Sequence, residues 1–112
     1  MAVPTYDTLM RPILVRATKE PITRRSMNEA MVEEFHLSGE ERAELLPSGS
    51  STFIANRVGW AMTFLTKAGL IKKVEKFTYR ATEAAKPFLN KHPNGFSDKD
   101  LKSIHSRPTG WA

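Results

Sequence analysis

Apolar residues recur at steps of three and four near the start of the chain. Tyr6, Leu9, Met10, Ile13, Leu14 and Ala17 fall on one helical stripe, with Thr5 placed to cap it. Pro12 lies inside this segment, so a kink or a lost backbone bond is expected. Lys19-Glu20-Pro21 ends the helix, and Ile22 is expected to add a single strand residue. A second helix begins near Arg25-Ser26 and carries Met27, Met31 and Phe35 on one face, with Glu29, Glu33 and Glu34 mostly outside it. His36-Leu37-Ser38-Gly39 breaks it. Ser38 followed by Glu41 is a capping-box pattern for a short helix ending near Leu45-Leu46, and Pro47-Ser48-Gly49-Ser50-Ser51 is a turn.

From Ser51 or Thr52 runs a third main helix. At 100° per residue, Phe53, Ile54, Val58, Trp60, Ala61, Phe64, Leu65 and Ala68 occupy one broad apolar arc. The opposite face holds Thr52, Ala55, Asn56, Gly59, Met62, Thr63 and Thr66. Gly59 is costly in a helix and suggests either a close approach of another group or a bend. Gly69 stops the helix. Leu70-Ile71 and Phe77-Thr78-Tyr79 read as two strands joined by Lys72-Lys73-Val74-Glu75-Lys76. Thr82 is placed to cap a further helix carrying Ala84, Ala85, Phe88 and Leu89, with Pro87 one turn in. Ser97 and Asp100 cap a last short helix through Leu101 and Ile104.

Helix, tight break and basic ribbon, in that order, predict a mostly α fold with a small β-hairpin: a winged helix-turn-helix. The expected organisation is a winged-helix domain over residues 1–93 and a C-terminal extension with a short helix over 94–112.

Charge sharpens the picture. Residues 1–50 carry 6 Lys/Arg against 8 Asp/Glu, whereas residues 51–112 carry 11 against 4. The excess sits beside the third helix and the hairpin: residues 67–91 hold 7 bases against 2 acids. Such polarity suits a polyanion approached from one side. The chain has no cysteine, which excludes disulfides, thiolate nucleophiles and cysteine zinc sites. His36, His92 and His105 lack ligand spacing, so no metal or cofactor is expected. The N-terminus lacks signal-peptide character and no run reaches membrane-spanning length, so a cytoplasmic protein with no membrane association is expected.

Several ordered segments carry a more specific signal. These are Val3-Pro4-Thr5-Tyr6-Asp7, Glu40-Glu41-Arg42, Leu45-Leu46-Pro47-Ser48-Gly49, Asn56-Arg57-Val58-Gly59-Trp60-Ala61, Leu65-Thr66-Lys67-Ala68-Gly69-Leu70 and Tyr79-Arg80-Ala81-Thr82. Together they resemble the N-terminal domain of Mrr-type, modification-dependent (type IV) restriction endonucleases. The resemblance implies a winged helix that targets double-stranded DNA, with methylated bases as a possible signal, for a nuclease domain in the same or an associated chain. Two positions depart from the family pattern. Phe77 stands near a glycine that usually precedes the aromatic of the second wing strand, and Ala85 stands where the last helix tends to carry glycine. A nuclease of this kind needs an acid on one strand and an Asp/Glu-x-Lys pair on the next. Asp100-Leu101-Lys102 matches the tripeptide, but in a helix with no acid-bearing strand before it, so this chain is not expected to be an enzyme.

Each candidate DNA contact has a structural competitor. Ser48, Ser50, Ser51 and Thr52 can bind phosphate at a helix start or act as ordinary caps. Asn56 can pair with adenine in the major groove or remain merely solvated, and Thr63 shares its face. Lys67, Lys72, Lys73, Lys76 and Arg80 are the expected phosphate contacts, with Arg24 and Arg25 as a secondary patch. Arg57 is expected to pair with an acid of the second helix, in competition with a DNA role. Trp60, Phe53, Phe64 and Phe77 are expected to pack, although Trp60 and Tyr79 could stack on a base. Two other functions share this fold: a free-standing transcriptional regulator, and a protein-contact module using the acidic second-helix surface. A homodimer is compatible with each.

Overall fold

In a computed structural model, residues 3–102 are described. The chain is mostly helical with one antiparallel hairpin, in keeping with a winged helix-turn-helix: α1 (Tyr6–Lys19), α2 (Arg24–Glu34), α3 (Gly39–Ala43), α4 (Phe53–Lys67), β1 (Ile71–Glu75), β2 (Thr78–Ala81), α5 (Ala85–Lys91) and α6 (Asp98–Lys102). Ile104, His105 and the tail lie outside the described residues.

α1 and α4 form the centre of the core. Leu9, Met10, Ile13, Leu14 and Ala17 of α1 are buried, as the three-four spacing predicts, and they meet Ile54, Val58, Ala61, Met62 and Leu65 of α4. Pro12 sits within α1 and leaves the Thr8 carbonyl without its helical donor. α2 starts one residue before the position read from sequence. Thr23 caps it: its hydroxyl accepts from Ser26 N–H at 2.9 Å, while Ser26 Oγ accepts from Thr23 N–H at 2.9 Å. Ser38 and Glu41 form the expected capping box of α3.

α3 ends at Ala43, short of the predicted Leu45-Leu46, because the next residues pair across the following turn. Leu45 bridges Thr52, Leu46 N–H donates to Ser51 O at 2.9 Å, and Phe53 N–H donates to Glu44 O at 2.9 Å. α4 closes in a Schellman motif. Leu70 N–H reaches Leu65 O at 3.0 Å, Gly69 N–H reaches Thr66 O at 3.0 Å, and Gly69 takes φ +79°. That turn aims the chain into β1.

The hairpin is longer and its turn tighter than predicted. Lys72 and Lys73 lie within β1, opposite Arg80 and Tyr79, and only Lys76 and Phe77 remain between the strands. Ile22 adds the expected single strand residue by exchanging two 2.8 Å backbone bonds with Tyr79. Thr82 does not cap α5. Its hydroxyl donates instead to Gly69 O at 2.6 Å and ties the end of β2 to the α4 turn, so α5 begins after Ala84 without a side-chain cap. Residues 94–102 join the same core, where Phe96 and Leu101 are buried and α6 packs on α4.

Candidate nucleic-acid interface

The apolar arc of α4 is rotated relative to the sequence reading. Met62, expected on the outer face, is buried at 1% exposure, whereas Trp60, expected in the core, is 51% exposed. Phe53 and Phe64 are half-buried. Phe64 stacks on Tyr6 of α1 with ring centroids 5.1 Å apart, and Trp60 leans on Phe64 at 6.1 Å. Two packing neighbours set this rotation: α1 covers the Tyr6–Phe64 edge, and α2 covers the side that includes Gly59. A Cβ built on Gly59 would meet Arg24 Nη1 at 3.5 Å, so the close approach expected there is that of a guanidinium.

The outer face of α4 therefore presents Asn56, Trp60, Thr63 and Lys67. Asn56 is half-buried. Thr63 is less free than its type suggests, because its hydroxyl donates to Gly59 O at 2.8 Å and retains only acceptor capacity. Thr66 likewise donates to Met62 O at 2.7 Å.

The turn into α4 gathers the four hydroxyl residues, largely in contact with one another. Ser48 and Ser50 share a 2.9 Å hydrogen bond, Ser51 Oγ donates to Thr52 O at 3.3 Å, and Thr52 Oγ1 accepts from Ala55 N–H at 3.2 Å. Thr52 is thus the N-cap of α4.

Arg57 has a structural role, as expected, but with a different partner. Its guanidinium donates to Val3 O at 2.6 Å and Pro4 O at 3.3 Å and lies 4.8 Å from the Phe53 ring centroid. The acids of α2 engage elsewhere: Glu29 pairs with Arg42 at 2.8 Å and Glu34 with Arg16 at 3.1 Å, both exposed.

The bases divide between two sides of the hairpin. Lys73 and Tyr79 are register partners, as are Lys72 and Arg80. Because side chains alternate along a strand, the two pairs lie on opposite faces. Lys73 and Tyr79 face α2. With Thr23, Arg24, Arg25 and Phe77 they line a cleft of about 700 Å³. A smaller cleft of about 260 Å³ lies between Arg24, Tyr79, Met62, Thr63, Thr66 and Lys67. Arg24 and Tyr79 line both, so the start of α2, the C-terminal half of α4 and the hairpin form one continuous basic surface. Lys72 and Arg80 occupy the hairpin's other face, and Lys76 sits at its tip.

Three residues of this surface carry more than their sequence context suggested. Phe77, expected to pack, is 69% exposed and adopts φ +63°. Trp60 is open to solvent. Arg24, a secondary candidate, joins the two clefts. A signal for Phe77 was present in the sequence, since it occupies a glycine-favouring turn position next to Lys76, between strands that carry Lys72, Lys73 and Arg80.

Asp100 and Lys102 lie in α6 and Leu101 between them is buried; Asp100 Oδ2 accepts from Ser97 N–H at 2.9 Å. Among the described residues no helix is long and apolar enough to cross a membrane.

Residues 6–91 match the Mrr N-terminal domain family. Over 106 residues the chain is 32% identical to the type IV methyl-directed restriction enzyme EcoKMrr of Escherichia coli (strain K12); the alignment covers 93% of this chain and 34% of that protein. The chain thus spans about a third of the length of this curated relative. The comparison with solved structures returns no match. The agreement runs from the first helix through the hairpin to the end of α5, and the chain belongs to the Mrr N-terminal domain family.

Proposed function

We propose that this chain is a double-stranded DNA-binding module that directs a Mrr-like restriction nuclease, itself non-catalytic, to methylated sites in the cytoplasm. The observation that carries the reading is the continuity of Arg24, Arg25, Lys67 and Lys73 around the outer face of α4. A helix face with short polar side chains and flanking bases suits major-groove approach, where the bases hold phosphates and the helix meets base edges. Methyl groups on adenine N6 or cytosine C5 would project into that groove, and the exposed indole of Trp60 offers them an apolar surface. Ser48, Ser50, Ser51 and Thr52 would meet a phosphate at the entry to α4; Lys72, Lys76 and Arg80 would meet the backbone beyond the hairpin. The nuclease domain would lie in the same or an associated chain, and the module could pair as a homodimer.

A titration against matched duplexes bearing adenine methylation, cytosine methylation or neither tests the proposal at several salt concentrations. With four to six phosphates neutralised, log affinity should fall against log salt with a slope of about −4 to −5. Replacing Lys72, Lys73 and Lys76 together should weaken binding to every duplex and flatten the slope. Salt-independent affinity would refute the reading.

A further inference from the structure

Resting on the DNA-binding reading above, we infer that the cleft between the hairpin and the start of α2 is a binding site for an unpaired nucleotide. Its base would lie against Phe77 and Tyr79, and its flanking phosphates on Arg24, Arg25 and Lys73. The lining has two components that a duplex backbone alone does not require together. Among the described residues, three cations and no carboxylate border the cleft, which favours an anion. Two aromatic rings, Phe77 and Tyr79, border it as well, and such rings offer a stacking surface for a planar π-face. Bases stacked within a duplex have no free face to offer. An unpaired nucleotide offers both a π-face and a phosphodiester charge.

The tip is built to present its ring. Phe77 is 69% exposed, and its φ of +63° is a conformation that bulky residues rarely adopt and glycine takes freely. Lys76 Nζ lies 5.3 Å from the ring centroid and steadies the ring beside a further positive charge. The Tyr79 backbone is fixed by its two bonds to Ile22, so the residue that carries the second ring is held in place. The shared Arg24 and Tyr79 connect the cleft with the outer face of α4. A nucleotide displaced from a helix read by α4 would therefore have an adjoining receptor, and unstacking is least costly where a base is already unpaired.

The test compares two short duplexes that differ only by one extra unpaired adenine at the centre, titrated by fluorescence anisotropy with the whole chain. The bulged duplex should bind about tenfold tighter, the scale set by one base–aromatic stack. Phe77→Gly should abolish that preference while melting no lower than the parent, because glycine suits the positive φ. Phe77→Trp should retain the preference. Equal binding of the two duplexes, or a preference that survives Phe77→Gly, overturns the nucleotide site and leaves the DNA-binding reading standing. Failure of the parent chain to bind either duplex overturns both.

Discussion

Arg57→Ala separates a structural from a DNA-contacting arginine on α4. The side chain crosses from α4 to the N-terminal arm, where it donates to Val3 O at 2.6 Å and Pro4 O at 3.3 Å, and its guanidinium lies 4.8 Å from the Phe53 ring centroid. Val3 is itself in the core at 5% exposure, so its carbonyl would lose its donor close to apolar surroundings. The shorter charge-assisted bond is worth about 1.5–3 kcal/mol. The 3.3 Å bond and the partly solvated ring contact add about 0.5–1 kcal/mol. Solvent reaching the vacated arm recovers some of this, which leaves an expected loss of about 2–3 kcal/mol. At about 2.1 cal/mol/K of unfolding entropy per residue, this lowers the melting temperature by roughly 10 °C. Urea denaturation followed by circular dichroism measures the loss, and DNA titration below the transition measures affinity. The affinity of the folded variant and its salt slope should stay within error of the parent. A stability change below about 0.5 kcal/mol together with a flatter salt slope would refute the reasoning and make Arg57 a phosphate contact.

Other expectations follow from the same geometry. Asn56→Ala should narrow the gap between preferred and random duplexes by about 1–3 kcal/mol with nonspecific affinity nearly unchanged, since no charge is lost; a preserved gap in competition binding would move base reading away from this residue. Gly59→Ala should stabilise the fold by about 0.5–1 kcal/mol, because the added methyl meets Arg24 at the ordinary contact distance of 3.5 Å; a lowered urea midpoint would mean that α2 cannot yield there. Asp7 is held above its ordinary value of 3.8, first by burial and then by the charge of Asp98. The folded state therefore binds that proton more tightly than the unfolded chain does. The stability this group contributes falls as pH rises from its unfolded value through its raised folded value. Asp7→Asn should flatten the decline in a series of melts that starts below the ordinary carboxylate value of 3.8 and runs upward from it, and an unchanged pH profile would remove burial as the cause.

Much of the fold could be read from local chemistry. The α1 stripe, the Ser38–Glu41 capping box and the Gly69 stop depend on spacing of three or four, on short-range caps or on one permissive φ, all encoded within a few neighbouring residues. The lysine-rich hairpin and the overall charge polarity were equally visible, because composition needs no geometry. Other features needed the packed molecule. Eight apolar residues of α4 and its C-cap spread over an arc too broad for a single buried face, so periodicity alone could not say which edge faces inward. The positions of α1 and α2 decide it: they bury Met62, leave Trp60 open and set Arg24 against Gly59. Thr82 and Arg57 were legible as polar side chains needing partners, but their partners, Gly69 O and Val3 O, are distant in sequence and were brought near by the hairpin turn and the docking of the N-terminal arm. The cleft shared by Arg24, Lys73, Phe77 and Tyr79 joins segments about 50 residues apart, and a surface of that kind exists only once hydrophobic burial has fixed the helices and hairpin relative to one another.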